Sequence, residues 1–214
     1  MEGKPKKIRD LVIDKKFISI LASGPSSMLL GVENLYHIRN SSFVFTMNYA
    51  PIQLKGDCNI FSDRKVSEFL QDYYLKNRKD CLLLSKADAF GEHTQKIRNQ
   101  VDYFFDVKED EIRGNFTIGT LIQLIQKYWP DKVILVFGLD MKVGPNNEVK
   151  WYDKFTDYDK GKRRLLNIKQ EMAKIEASTN QLKDFTKNTN IYNCNMQSLF
   201  DYYPKMEWRE VFSK

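Results

Sequence analysis

The residue types best suited to chemistry fall in short segments that follow a strand-like run or open a helix-like one. Ser23-Gly24-Pro25-Ser26-Ser27 combines a glycine that lets a ligand approach the backbone with serine hydroxyls and the free N–H groups of a starting helix. That composition suits a phosphate, which makes Gly24, Pro25, Ser26 and Ser27 candidate nucleotide contacts. The alternative is a tight turn in which Ser26 or Ser27 caps the helix. Asn48, in Thr46-Met47-Asn48-Tyr49, and the pair Ser62 and Asp63, in Ser62-Asp63-Arg64, can hydrogen-bond a base or a ribose. Equally, Asn48 can form a turn and Asp63 can cap the helix that begins at Arg64. Asp140, closing Gly138-Leu139-Asp140, can bind a sugar hydroxyl, take a proton or brace its loop. Thr117 and Gly119, in Asn115-Phe116-Thr117-Ile118-Gly119, offer a second anion or hydroxyl site at a helix start. Trp151, Tyr152, Asp153 and Tyr158 supply ring faces for stacking and phenols for a phosphate, or they pack a loop down.

The elements that must position these residues are readable from the hydrophobic pattern. Phe17 to Ala22 is a short, mostly apolar run stopped by Gly-Pro, the pattern of a buried parallel strand meeting a turn. Similar runs at Ser41 to Met47, Asn59 to Phe61, Asp80 to Leu84, Val101 to Phe105, Lys132 to Phe137 and Asn190 to Tyr192 bring the expected total to about seven strands. Between them, Arg64 to Leu75, Gly119 to Tyr128 and Lys160 to about Lys183 carry helical spacing. Alternating strands and helices predict βαβ units, a mainly parallel sheet and a single Rossmann-like α/β domain over 17–214. Residues 1–16 read as a basic N-terminal extension, and Met141 to Asp159 as a long lid-like loop after the Gly-Leu-Asp strand. In such sheets ligands bind beyond the carboxyl ends of the strands, where most of the candidates lie.

Bulk properties bound the function. With 214 residues, 42% hydrophobic and 29% charged, the chain has the makings of one globular domain rather than a disordered or fibrous chain. No apolar run reaches the roughly 20 residues of a membrane span, and the first residues lack the apolar stretch of a secretion signal, so a cytoplasmic location is expected. A net charge of +6 favours phosphate-rich ligands or an anionic membrane face, with basic clusters at Lys4 to Arg9 and Lys160 to Arg164. The 3 cysteines, Cys58, Cys81 and Cys194, suggest neither a disulfide framework nor a zinc knuckle. Walker, G-x-G-x-x-G, H-E-x-x-H and G-x-S-x-G motifs are absent from the sequence, and His37 and His93 stand apart from each other and from cysteine, so no metal site is expected.

Gly24-Pro25-Ser26 after the first strand, Asn48 after the second, and Thr117-Ile118-Gly119 ahead of Gly138-Leu139-Asp140 together resemble the bacterial sialyltransferase family of Campylobacter lipooligosaccharide synthesis. Its members carry a Gly-Pro-Ser loop, an asparagine ending strand two, and Thr-Ser-Gly opening a helix before a strand that ends Gly-(Ile/Val)-Asp. The resemblance covers roughly residues 17–140. The closing segment, Ile191-Tyr192-Asn193-Cys194 with Ser198-Leu199 and Tyr203-Pro204, is similar to that of the related pterin pyrophosphokinase-like Rossmann proteins.

The resemblance implies a CMP-sugar donor near the Gly-Pro-Ser loop and Asn48, and inverting transfer by direct displacement with no obligatory metal. The family's histidine base has no counterpart, because no histidine follows His93, and Ile118 replaces the motif serine. The acceptor proton then falls to Asp140, Asp153 or a lid tyrosine such as Tyr152. The expected function is a glycosyltransferase-like enzyme that uses a nucleotide-activated sugar to modify a surface glycan in lipopolysaccharide or capsule biosynthesis. Its partners would be the nucleotide-sugar donor and the glycan acceptor, with peripheral contact at the inner membrane face, oligomerisation allowed and no specific nucleic acid. The alternatives are a pterin pyrophosphokinase-like enzyme needing ATP and Mg²⁺, and a non-catalytic module binding nucleotide or anionic surfaces.

Overall fold

The computed structural model describes residues 6–50, 55–68, 71, 81–141 and 168–213. Its strands are β1 (Lys6–Lys7), β2 (Phe17–Leu21), β3 (Ser42–Met47), β4 (Cys58–Phe61), β5 (Leu82–Lys86), β6 (Tyr103–Phe105), β7 (Val133–Phe137) and β8 (Ile191–Asn193). They form one open sheet in the order β1-β6-β5-β4-β3-β2-β7-β8, with every pairing parallel. The helices are α1 (Gly31–Ser41), α2 (Gln95–Arg98), α3 (Thr117–Tyr128), α4 (Ile168–Phe185) and α5 (Trp208–Phe212).

Period-two burial explains why these runs are strands with helices on both faces. Ile18 and Ile20 of β2, Phe45 and Met47 of β3, and Ile134 and Val136 of β7 join Leu121, Ile122, Leu124 and Ile125 of α3 in one apolar cluster. The intervening Leu21, Val44, Leu135 and Phe137 point the other way, into a cluster with Ile38 of α1 and Trp208 and Val211 of α5. Each fully buried Ile or Leu contributes about 1.5–3 kcal/mol of hydrophobic stabilisation, so both faces must be covered for the sheet to hold. The α/β class and the parallel sheet expected from the sequence are those observed.

The eighth strand lies in the stretch read as a basic extension. Lys6 and Lys7 pair with Tyr103 and Phe104 at the sheet edge. Ile8, Leu11 and Ile13 then turn into the main apolar cluster. Two lysines carry no hydrophobic period, although lysine is a common edge residue because it discourages further strand pairing. The helix expected at Arg64 to Leu75 is present over the described 64–68 and 71. The last long helix runs on to Phe185, and its expected first residues, 160–167, lie outside the described residues. Among the described residues no helix is long and apolar enough to cross a membrane.

The chain steps outward from β2 through β3, β4 and β5 to β6, then crosses back to place β7 on the other side of β2. The reversal opens the crevice between the carboxyl ends of β2 and β7, where doubly wound folds bind ligands.

Candidate functional site

A cavity of about 750 Å³ lies at this edge of the sheet. Its lining draws Gly24 from the loop after β2, Asn48 from the end of β3, Ser62 and Asp63 from the end of β4, Thr117 from the start of α3 and Asp140 from the end of β7. Six candidates separated by up to 116 residues in the chain thus share one wall system. Pro25, Ser26, Ser27 and Gly119 lie outside the lining, and Trp151, Tyr152, Asp153 and Tyr158 lie outside the described residues.

The loop after β2 is locked to the end of β7. Gly24 donates its N–H to the Gly138 carbonyl at 3.0 Å. A methyl group at Gly24 would lie 2.2 Å from that carbonyl oxygen and 2.6 Å from Asp140 Oδ2, so only glycine fits. Gly138 has φ +72°, and a methyl there would meet the Ala22 carbonyl oxygen at 2.8 Å. A helix start leaves N–H groups unpaired, and here a protein carboxylate takes up one of them. Ser26 N–H donates to Asp140 Oδ2 at 2.8 Å, and Ser26 Oγ donates to Asp140 Oδ1. Ser27 N–H turns back to the Gly24 carbonyl at 3.1 Å, and its hydroxyl donates to the same oxygen at 2.8 Å. The segment Pro25–Leu30 is a 3₁₀ helix, not the first turn of an α-helix.

Asp140 is only 4% exposed and is held from a third side by Asn195 Nδ2, which donates to Oδ1. Its main-chain carbonyl accepts from Leu199 N–H at 3.2 Å, and the Leu139 carbonyl accepts from Ser198 Oγ. Asn193, fully buried, donates to the Leu139 and Phe200 carbonyls at 3.4 Å each. The closing segment after β8 therefore serves as a buttress for Asp140. Burial, reinforced by the Glu207 carboxylate, pushes the neighbouring Cys194 thiol well above its usual range and keeps it a neutral, poor nucleophile.

Asn48 is arranged in the opposite way. Its N–H donates to the Ile60 carbonyl at 2.9 Å, and its carbonyl accepts from Asn59 Nδ2 at 3.3 Å. Asn59 is itself fixed by Thr46 Oγ1, which donates to its Oδ1 at 3.0 Å inside the sheet. This double grip holds Asn48 at φ +52°, a left-handed conformation that asparagine tolerates better than most residues. Its side-chain oxygen is buried and is the one such atom without a hydrogen-bond partner among the described residues. A buried acceptor left unpaired costs about 1–3 kcal/mol.

Across the cavity, Asp63 Oδ1 accepts from Lys65 N–H at 2.8 Å and caps the helical turn at 64–68, and Ser62 Oγ contacts Thr117 Oγ1 at 3.2 Å. The start of α3 carries no side-chain cap. Arg64 and Asn115, which belong to the segments Ser62-Asp63-Arg64 and Asn115-Phe116-Thr117-Ile118-Gly119, also line the cavity, as do Lys65, Lys174 and Ser178, for which the sequence suggests no ligand role. Lys65 directly follows the Ser62-Asp63-Arg64 motif and was within reach of a sequence reading. Lys174 carries no sequence signal, because its place depends on where α4 packs. Among the described residues no three His, Cys, Asp or Glu side chains converge as a metal-binding group would. A comparison with protein-family models finds no match for this chain, and a comparison with curated proteins finds none either.

Proposed function

We propose that the cavity binds a nucleotide-activated sugar, with a CMP-sugar as donor, and that the protein is a glycosyltransferase-like enzyme acting on a surface glycan. The observation that carries the reading is the orphaned Asn48 oxygen, a buried acceptor in a residue that lines the cavity at the sheet's switch point. An exocyclic amino group of a base or a ribose hydroxyl supplies the donor it lacks. The volume of about 750 Å³ lies within the roughly 300–1,000 Å³ typical of small-molecule sites. The resemblance of Gly24-Pro25-Ser26, Asn48 and Gly138-Leu139-Asp140 to the sialyltransferase pattern selects the CMP-sugar within that class.

In this reading the acceptor hydroxyl oxygen attacks the anomeric carbon, the bond from that carbon to the phosphate oxygen breaks, and CMP leaves with the electron pair. Asp140 acts as a positioning residue, since its carboxylate already accepts from Ser26 N–H, Ser26 Oγ and Asn195 Nδ2. The acceptor proton is assigned to the Asp153 carboxylate, or to Tyr152 ionised to its phenolate.

Melting temperature followed with CMP, UDP, GDP and Mg²⁺–ATP tests the proposal, because a ligand that binds only the folded state raises it by mass action. Stabilisation by CMP above the other three is expected. No shift with any nucleotide contradicts the reading, and a shift confined to Mg²⁺–ATP moves the assignment to the pyrophosphokinase-like alternative.

A further inference from the structure

We infer that the phosphate of the ligand is held by donors drawn from two helices: the N–H groups that open α3 with the Asn115 amide ahead of them, and the hydroxyl of Ser178 on α4. The inference rests on the reading of the cavity as a nucleotide site and assigns the place of the phosphate within it. The Gly24–Ser27 loop has no donor to spare for that role. The Asp140 carboxylate accepts both donors of Ser26, and the Gly24 carbonyl accepts both donors of Ser27.

Ser178 lines the cavity and is only 8% exposed, yet its hydroxyl has no hydrogen bond among the described residues. Its neighbour Thr179 shows the usual alternative for a helical hydroxyl, donating to the Ile175 carbonyl one turn back at 2.8 Å. Unlike the Asn48 oxygen, the Ser178 hydroxyl is not sealed from solvent, and its open side is the cavity. Burying a hydroxyl without a partner is costly, and a ligand oxygen removes that cost.

Asn115, on the same lining, is set to present a donor. Its backbone N–H can only donate, and it donates to Gln181 Oε1 at 3.0 Å. That bond fixes the Gln181 amide, whose Nε2 then donates to Asn115 Oδ1 at 3.2 Å. With its oxygen taken, Asn115 has its NH2 group left for a ligand. Gly114, at φ +81°, makes room for the clamp, since a methyl there would lie 2.3 Å from Gln181 Oε1. The chain then opens α3 without a side-chain cap. Thr120 N–H bonds the Phe116 carbonyl at 3.0 Å, which leaves the N–H groups of Thr117, Ile118 and Gly119 ahead of the helical ladder. These groups and the Asn115 NH2 can only donate, and they sit at the positive end of a 12-residue helix, so an oxyanion is the ligand group that fits.

The test compares CMP with cytidine in calorimetric titrations of the full chain and its variants, because the ratio of the two affinities isolates the phosphate. Ser178→Ala and Asn115→Ala are each expected to weaken CMP about tenfold while leaving cytidine unchanged, the worth of a hydrogen bond to a charged group. Gln181→Met, which releases the Asn115 amide, should weaken CMP about threefold in the wild-type chain and not at all in Asn115→Ala, the coupling expected of a positioning residue. Wild-type ratios in both Ser178→Ala and Asn115→Ala overturn the inference, and an equal effect of Gln181→Met in both backgrounds overturns the role of Gln181. If no nucleotide or nucleoside binds the wild-type chain, the functional reading fails, and inorganic pyrophosphate then tests the subsite by itself. Weaker pyrophosphate binding in Ser178→Ala and Asn115→Ala upholds the subsite, and equal binding in all proteins, or none, overturns it. Melting temperatures establish that each variant is folded, and Ser178→Ala removes no hydrogen bond among the described residues.

Discussion

The two sides of the cavity use similar residue types to opposite ends. On the β2–β7 side, glycine, serine, asparagine and aspartate are consumed by one another, so that Ser26, Asn195 and Asp140 form a closed hydrogen-bonded knot. On the β3–β4 side, the chain is held through its backbone and through interior Asn59 and Thr46, while the Asn48 oxygen is kept without a partner. Satisfied polar groups make a frame, and unsatisfied ones store a cost that a ligand can repay. A loop whose sequence suits phosphate can therefore serve as scaffold, and in the proposed reading the ligand is bound across from it.

Breaking the frame should have the largest effect. Gly24→Ala forces a methyl against the Gly138 carbonyl and the Asp140 carboxylate at distances no real carbon adopts, and neither neighbour is a flexible side-chain tip. The expected loss is about 3 kcal/mol in chemical denaturation, at the upper end of overpacking costs. Stability within about 0.5 kcal/mol of wild type would show that the two loops are not locked as described.

Loosening the other side should have a smaller effect of opposite sign. Asn48→Gly removes both the left-handed strain of a non-glycine residue and the unpaired oxygen. Stability should rise by roughly 0.5–1 kcal/mol while nucleotide affinity falls, the trade expected where a site stores strain for function. A variant that is both less stable and equally good at binding would remove the contrast between the two sides.

The sheet was legible because the period-two runs of β2, β3 and β7 are strongly apolar and end at Gly, Asn or Asp. Six of the candidate positions meet at the cavity, five because an open parallel sheet delivers strand ends to one edge and Thr117 because it opens α3. The division of labour among them was not legible. Ser26 reads equally as phosphate ligand and as helix cap in sequence, and only the approach of Asp140, 114 residues away, decides which donors are spent. Lys6–Lys7 escaped notice because an edge strand of two lysines has no apolar signature. Helix α1 escaped because Val32 and Tyr36 face outward and blur the apolar stripe that marks a helix.

Backbone hydrogen exchange of the full chain with and without saturating CMP separates the two sides of the cavity. Added protection is expected at Phe116 to Ile118, around the uncapped start of α3 on the cavity lining, with little change at Ser26 and Ser27, whose N–H groups are already bonded. No added protection at Phe116 to Ile118, or protection confined to the Ser26–Ser27 turn, would contradict the account.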